Sequence, residues 1–462
     1  MCNYNINVAR QSVHMPTFAK KIKSLMKART TKQNKVNIIT LGCSKNMVDS
    51  EVLSGQLLAN EIDTAHESKK LDHNIVVVNT CGFIEKAKEE SINTILDQLE
   101  LKRRGKLDKV YVTGCLSQRY RDDLTAEMPE VDAWFGTMEL PLMLKQLNAN
   151  YKTELIGERL LATPQHYAYL KISEGCNRTC SFCAIPLMRG KHISVPIEQL
   201  VLEAEKLVAK GVKEIMLIAQ ELTYYGLDIY KKRMLPELLK ALNGVQGLVW
   251  IKLHYAYPSK FPLNILDAIN TCEKVCNYID MPLQHASDAM LKAMNRQITK
   301  HEMETLLNTI RSTVPNICLR TTLIAGFPGE TEDDVTVLKH FLEEQRFDRV
   351  GIFTYSHEED TSAYKLEDNI PEEVKEARAQ EIMAVQQDIS LEKNKEKIGK
   401  TYKVIIDKKE SGRYIGRTEY DSVEVDNEVI INTKKRLQPG DFVNVLITKA
   451  FDYDIEGEIV TA

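Results

Sequence analysis

Between residues 35 and 115 three β-rich apolar runs, KVNIITLGC, NIVVVNTC and KVYVTGC, each close on a cysteine: Cys43, Cys81 and Cys115. Apolar runs this continuous, separated by helical stretches, call for a parallel sheet covered on both faces, since a strand with one wet face would alternate. A helical stretch from about Met47 to Asn60 follows the first run, FIEKAKEESINTILDQLELKRRG follows the second, and VDAWFGT reads as a fourth strand. In an open α/β sheet the ligand crevice lies outside the carboxyl ends of the strands. Three cysteines in the same strand-end register therefore converge on one point and suit a shared metal site. Three separately buried thiols are the alternative reading.

The stretch from about 165 to 357 repeats a strand–helix unit. YAYLKISEG, VKEIMLIAQE, LVWIKLHYAY, VCNYIDMPLQ, CLRTTLIAGF and RVGIFTYS are six strand candidates with helical runs between them. Six units are too few for a closed eight-stranded barrel and fit a partial (β/α)6 barrel, with its site at the carboxyl ends of the strands. SEGCNRTCSFCAIP follows the first of them, which puts Cys176, Cys180 and Cys183 at that mouth. A charged helix, about 371 to 397, leads to five short alternating runs, TYKVIIDKK, RYIGRTEY, VDNEVIIN, DFVNVLITKAF and IEGEIV. These read as a small antiparallel β-barrel of the oligonucleotide-binding kind. The expected fold class is α/β: an N-terminal open parallel α/β domain (35–150), the central partial barrel (160–397) and a C-terminal β-barrel (398–462). Residues 1–34, basic and polar, read as a loosely ordered N-terminal extension.

The net charge of −4 supplies no global basic field for nucleic acid or anionic lipid. No apolar run approaches a membrane span, and the first residues lack the apolar core of a signal peptide. The expectation is a cytoplasmic chain without a membrane partner, and a monomer. In a reducing compartment its ten cysteines are metal ligands, reactive thiols or core residues rather than disulfides. Cys2, Cys272, Cys276 and Cys318 stand outside any pattern and read as small buried hydrophobes, as do His254 and His285 as core or rim histidines.

A structural zinc wants a closed set of four protein ligands. No second CxxC lies near the 176–183 triplet, and His192 is the alternative fourth ligand. A 4Fe–4S cluster has four irons, so three thiolates leave one iron open to bind something that reacts. GCNRTCSFC resembles the CxxxCxφC motif of the radical S-adenosylmethionine enzymes, with Phe182 at the aromatic position. The resemblance implies that Cys176, Cys180 and Cys183 hold a 4Fe–4S cluster whose open iron chelates the amino and carboxylate groups of S-adenosylmethionine. One electron then releases a 5′-deoxyadenosyl radical. It implies further that Phe182 lies near the adenine, that Glu221, ending AQE, pairs with the cofactor's ammonium, and that RTTLIAGFPGET, with Arg320 and Gly326, lines the cofactor. Plain packing for Phe182 and a strand-to-helix turn for the glycine motif remain the alternatives.

The three-part layout over about 36–462 resembles the methylthiotransferase family, with its TRAM-like C-terminal barrel. That resemblance implies a second 4Fe–4S cluster on Cys43, Cys81 and Cys115, again with one iron open, and assigns no catalytic side chain beyond the six cysteines. It implies S-adenosylmethionine as both radical source and methyl donor, and an electron donor and a sulfur donor as partners. Members act on an adenosine of transfer RNA or on the β-carbon of an aspartate of ribosomal protein S12. AQELTYYG, MPLQHASDAMLKAMNR and GRTEYDSVEVDNEVII resemble the ribosomal-protein branch. From Gly399 onward ten Lys/Arg face twelve Asp/Glu, a balance better suited to a basic protein partner than to RNA phosphates, although TKKR (433–436) keeps the RNA reading open. A non-catalytic iron–sulfur electron carrier is a third reading.

Overall fold

The first sheet is built from β1 (Lys35–Thr40), β2 (Asp63–His66), β3 (Ile75–Thr80), β4 (Lys109–Gly114) and β5 (Ala133–Trp134), all parallel, in the order β2-β1-β3-β4-β5. The structure is a computed structural model that describes residues 34–155 and 157–460. The expected N-terminal extension and Cys2 lie outside the described residues, apart from Asn34. In β3 every residue is buried. Val77 enters a core with Val36, Ile38, Leu53 and Leu57, while Val76 and Val78 meet Ile95, Leu99 and Val112 on the opposite face. Helices on both faces are what make the run read as continuously apolar. They are α1 (Ser44–Ala59), α2 (Glu85–Arg103), α3 (Cys115–Glu127) and α4 (Leu140–Gln146).

Three local differences from expectation have simple causes. The helix after β1 starts at Ser44, not Met47, because Cys43 takes the extended N-cap position. β2 is an edge strand of polar sequence, DTAH, and carries no hydrophobic pattern. VDAWFGT contributes only the two residues of β5, also at an edge.

The second sheet holds β6 (Tyr167–Lys171), β9 (Glu214–Ile218), β10 (Trp250–Leu253), β11 (Val275–Asp280), β12 (Cys318–Ala325) and β13 (Arg349–Thr354). All six are parallel and each is added beside the last, the order of an unfinished barrel rather than of a doubly wound sheet. A separate antiparallel ribbon, β7 (Ser173–Glu174) with β8 (Ile193–Ser194), brackets the cysteine loop. Helices α5 (Ile185–Arg189), α6 (Ile197–Ala209), α7 (Leu235–Asn243), α8 (Asn264–Thr271), α9 (Asp288–Ala293), α10 (Lys300–Thr313) and α11 (Glu332–Gln345) follow in turn, and α12 (Glu372–Lys395) leads to the last segment. Ile215, Leu217, Ile251, Ile279 and Leu319 join the helices in the main core. The alternate residues Met216, Trp250 and Tyr278 face inward, away from them.

The last segment is a closed five-stranded barrel of β14 (Thr401–Glu410), β15 (Arg413–Thr418), β16 (Val429–Ile431), β17 (Phe442–Ala450) and β18 (Ile455–Ile459). Its pairs are antiparallel except β16 with β18, which run parallel. The barrel docks on the inner face of the second sheet. Arg417 and Lys252 both reach Glu214, at 2.7 and 2.8 Å, and all three are buried. The loop after β15 adds Asp421 to Arg349 at 2.5 Å and Asp426 to Arg320 at 3.2 Å. Among the described residues no helix is long and apolar enough to cross a membrane.

Candidate active site

Cys43, Cys81 and Cys115 follow β1, β3 and β4, whose neighbouring registers bring their carboxyl ends together. The approach is so close that a Cβ on Gly42 would lie 2.6 Å from that of Cys81, and Gly42 holds φ +91°, which a side chain rarely adopts. Ser91 fixes the backbone of Cys81 from both sides, accepting from its N–H at 3.1 Å and donating to its C=O at 2.9 Å. Cys43 is exposed, whereas Cys81 and Cys115 are buried. Burial pushes the Cys115 thiol up to about 12, with Arg189 opposing and Cys43 and Cys81 adding to the rise. Burial pushes Cys81 up as well.

Cys176, Cys180 and Cys183 lie in the loop bracketed by β7 and β8. Gly175 turns the chain at φ +74°, where a Cβ would sit 2.2 Å from the Lys191 carbonyl oxygen. Cys176 N–H donates to the Gly190 carbonyl at 3.1 Å, and Ser181 is tied to Ala293 and Met294 of the α9 end at 2.7 and 3.0 Å. Arg296 donates to Cys180 Sγ at 3.2 Å, and Arg178 N–H to Cys176 Sγ at 3.4 Å. Burial pushes Cys176 up to about 11 and Cys183 to about 12, and the neighbouring thiols reinforce both.

The two groups abut. α5 begins two residues after Cys183, and Ala184 and Met188 pack against Cys115. From the end of that helix Arg189 Nε donates to Cys115 Sγ at 3.3 Å. The rest of its guanidinium is held by Asp49 at 2.7 Å, Glu174 at 3.3 Å and Asn46. A second clamp fastens the first sheet's helices over the half-barrel: Arg119 and Lys88 reach the buried Glu358 at 2.7 and 3.2 Å.

Among the described residues no three His, Cys, Asp or Glu side chains close tightly enough to hold one metal ion. Each triad nevertheless suits a multi-iron cluster, whose own inorganic core spaces its thiolates apart. The alternative fourth ligand, His192, meets Ser194 Oγ through Nε2 at 3.1 Å and packs its ring edge-on to Tyr224. A guanidinium donates to one sulfur of each triad, which favours the thiolate form, so the donor sets fit groups that bind thiolate.

The four residues implied for S-adenosylmethionine are placed as follows. Phe182 packs with Met290, Met294, Phe327 and Tyr355. Glu221, buried at the end of β9, is bound by Arg178 at 2.5 Å and accepts from Thr223 N–H at 2.7 Å. Arg178 in turn lies between the rings of Tyr224 and Tyr257, 4.0 and 3.9 Å from their centres. Gly326 takes φ +76° with the Lys375 stem where a Cβ would stand. Arg320 is held by Asp280 at 3.1 Å and by Asp426 of the barrel loop at 3.2 Å, among the contacts that dock the barrel. His254 and His285 are core residues: His285 Nδ1 accepts from two backbone N–H groups at 2.9 Å, and His254 meets Ser422 at 3.0 Å. Sequence reasoning missed Arg189, Arg296 and Asp49. No spacing rule marks them, because each acts across the fold rather than within a motif.

Comparison with known proteins bears on this arrangement. Residues 35–136 match the family described as uncharacterized protein family UPF0004, 170–342 the radical SAM superfamily and 398–460 the TRAM domain. The radical S-adenosylmethionine methyltransferase TsrM from Kitasatospora setae, solved with cobalamin and a 4Fe-4S cluster bound, superposes with a TM-score of 0.51 at 14% identity, covering 70% of this chain and 75% of that one. That likeness concerns the fold alone. The ribosomal protein uS12 methylthiotransferase RimO of Cytophaga hutchinsonii is 59% identical over 94% of this chain and 100% of its own length. The protein of the same description from Phocaeicola vulgatus is 52% identical over 93% of this chain and 100% of its own.

A half-barrel of parallel strands carrying the radical SAM match makes this an enzyme of the radical S-adenosylmethionine class. Within that class the chain belongs to the ribosomal protein uS12 methylthiotransferase family.

Proposed function

We propose that the chain adds a methylthio group to the β-carbon of an aspartate of ribosomal protein S12, with a 4Fe–4S cluster on each cysteine triad. Bound there, the clusters and S-adenosylmethionine supply the radical that activates an unreactive C–H bond, and the sulfur and methyl group that replace the hydrogen. The observation that carries this reading is the abutment of the triads through α5 and Arg189, because a carbon activated beside one centre must reach sulfur at the other before water or protein quenches it.

The chain's own residues position and insulate. Arg296 and Arg189 donate to one sulfur of each triad, orienting the thiolates and stabilising their charge. The clamps on Glu358 and Asp49 fix one triad relative to the other. Cys43, the exposed member of its triad, marks the side open to an incoming protein. A barrel with more acids than bases suits basic S12. The electron donor and the sulfur donor belong to the same reading, as do a cytoplasmic site of action and a monomeric enzyme.

The test is to incubate anaerobically reconstituted enzyme with S-adenosylmethionine, reductant and sulfide, offering S12 and transfer RNA in parallel. Mass spectrometry should find one added CH2S on an S12 aspartate. Modified RNA beside untouched S12 would overturn the proposal.

A further inference from the structure

Lys45 stands two residues after Cys43, in the first turn of α1, and only 6% of it is exposed. Its ammonium lies 3.3 Å from the ring centre of Tyr255. It has no carboxylate and no hydrogen-bond partner among the described residues. Nearby cations behave differently. Lys171 is held by Asp49 and Glu174, Arg178 by Glu221, Arg189 by Asp49 and Glu174, Lys252 by Glu214, and Arg320 by Asp280. The stem of this lysine is buried and its ammonium faces no anion, so a ring face is all that the protein itself offers the charge.

The ring beneath it is itself held in an unusual way. Tyr255 follows β10 at the carboxyl end of the half-barrel with φ +69°, a left-handed conformation that a bulky side chain adopts only when its surroundings enforce it. Its N–H donates to Asp280 at 3.3 Å and its C=O accepts from Leu222 at 3.2 Å, while the side chain keeps the residue 36% exposed. An open ring from one domain thus carries an unpaired cation from the other, on the helix that the exposed cysteine of the first triad caps.

We propose that Lys45 binds the side-chain carboxylate of the target aspartate and, with Tyr255 as its platform, selects that residue. This rests on the S12 reading above. One bond separates the carboxylate from the β-carbon, so an ammonium on the helix that Cys43 caps, by gripping the carboxylate, brings that carbon toward the first triad, where the proposed function delivers sulfur. A carboxylate also occurs in S-adenosylmethionine. The substrate is the occupant favoured here because the resemblance already places the carboxylate of S-adenosylmethionine on the open iron of the 176–183 triad, whereas Lys45 lies on the helix that Cys43 caps.

The experiment uses the reconstituted holoenzyme with S12 and with S12 whose modified aspartate, located by mass spectrometry, is changed to asparagine. Wild type should prefer aspartate to asparagine by about 100-fold in kcat/KM. Lys45→Met should lose about 100-fold on the aspartate substrate and most of the preference, bind S12 more weakly by calorimetry, and keep its iron and its S-adenosylmethionine affinity. Lys45→Arg should recover part of the loss. Unchanged discrimination in Lys45→Met overturns the assignment, as does a loss confined to S-adenosylmethionine binding or to iron content. If wild type modifies no S12, the function proposal fails and the Lys45 assignment with it. If wild type is active and the variant matches it, only the latter fails.

Discussion

At position 42 a methyl group has nowhere to go: it would lie 2.6 Å from Cys81 Cβ and 2.8 Å from its sulfur, on a backbone at φ +91°. Gly42→Ala should therefore push a proposed ligand out of place. We expect anaerobic iron content to fall by about half, the first site emptying while the second fills, as two four-iron centres require. Full iron in that variant would contradict the placement of Cys81. Arg296 offers a finer probe. Its guanidinium donates to Cys180 Sγ at 3.2 Å, and donors to cluster sulfurs favour the more negative, reduced form. Arg296→Met should move that centre's midpoint to more negative potential in an EPR-monitored titration, with cysteine ligation retained. A potential equal to wild type would mean that the contact has no electronic effect.

The elements that hold the site differ in how plainly the sequence announces them. β1, β3 and β4 are apolar and end on cysteine, so both the sheet and the convergence of Cys43, Cys81 and Cys115 can be read from the chain alone. The six half-barrel strands are legible for the same reason, and the 176–183 triplet follows the first of them. β2 and the ribbon of β7 and β8 are not, because short or polar edge segments carry no period. Yet the ribbon frames the triplet, with Gly175 at its corner. Gly175→Ala should be the converse of Gly42→Ala: iron is lost from the second site and kept at the first, as Mössbauer or EPR spectroscopy on the two variants should distinguish. Equal loss from both sites would mean that the ribbon supports the whole mouth rather than its own loop. Arg189 and Lys45 could not be foreseen either, since their partners lie on a different sheet and only packing brings Cys115 and Tyr255 to them.

Across the whole molecule the barrel is fastened by charge. Burial pushes Glu214 up, but Arg417 and Lys252 outweigh it and hold the carboxyl at about 2, below its ordinary 4.5. A carboxyl depressed on folding stabilises the native state above its unfolded value and loses that contribution as pH falls through its folded value. The window here runs from about pH 4.5 down to 2, and the contribution above it is roughly 3 kcal/mol. Glu214→Gln should be less stable at neutral pH by about 3–5 kcal/mol, since it leaves the buried Lys252 without a carboxylate and Arg417 with Asp407 alone, and its melting temperature should fall less steeply in acid. Parallel acid profiles for variant and wild type would contradict the assignment.

Two separate cysteine triads, each proposed to leave one metal corner free, are what the chemistry requires. The direct test is metal and acid-labile sulfide analysis of anaerobically prepared protein, comparing wild type with Cys43→Ala and Cys176→Ala. About eight irons with matching sulfide, dropping by about half in each variant, is the expected result. Zinc in place of iron, or a single centre abolished by either substitution, would contradict it.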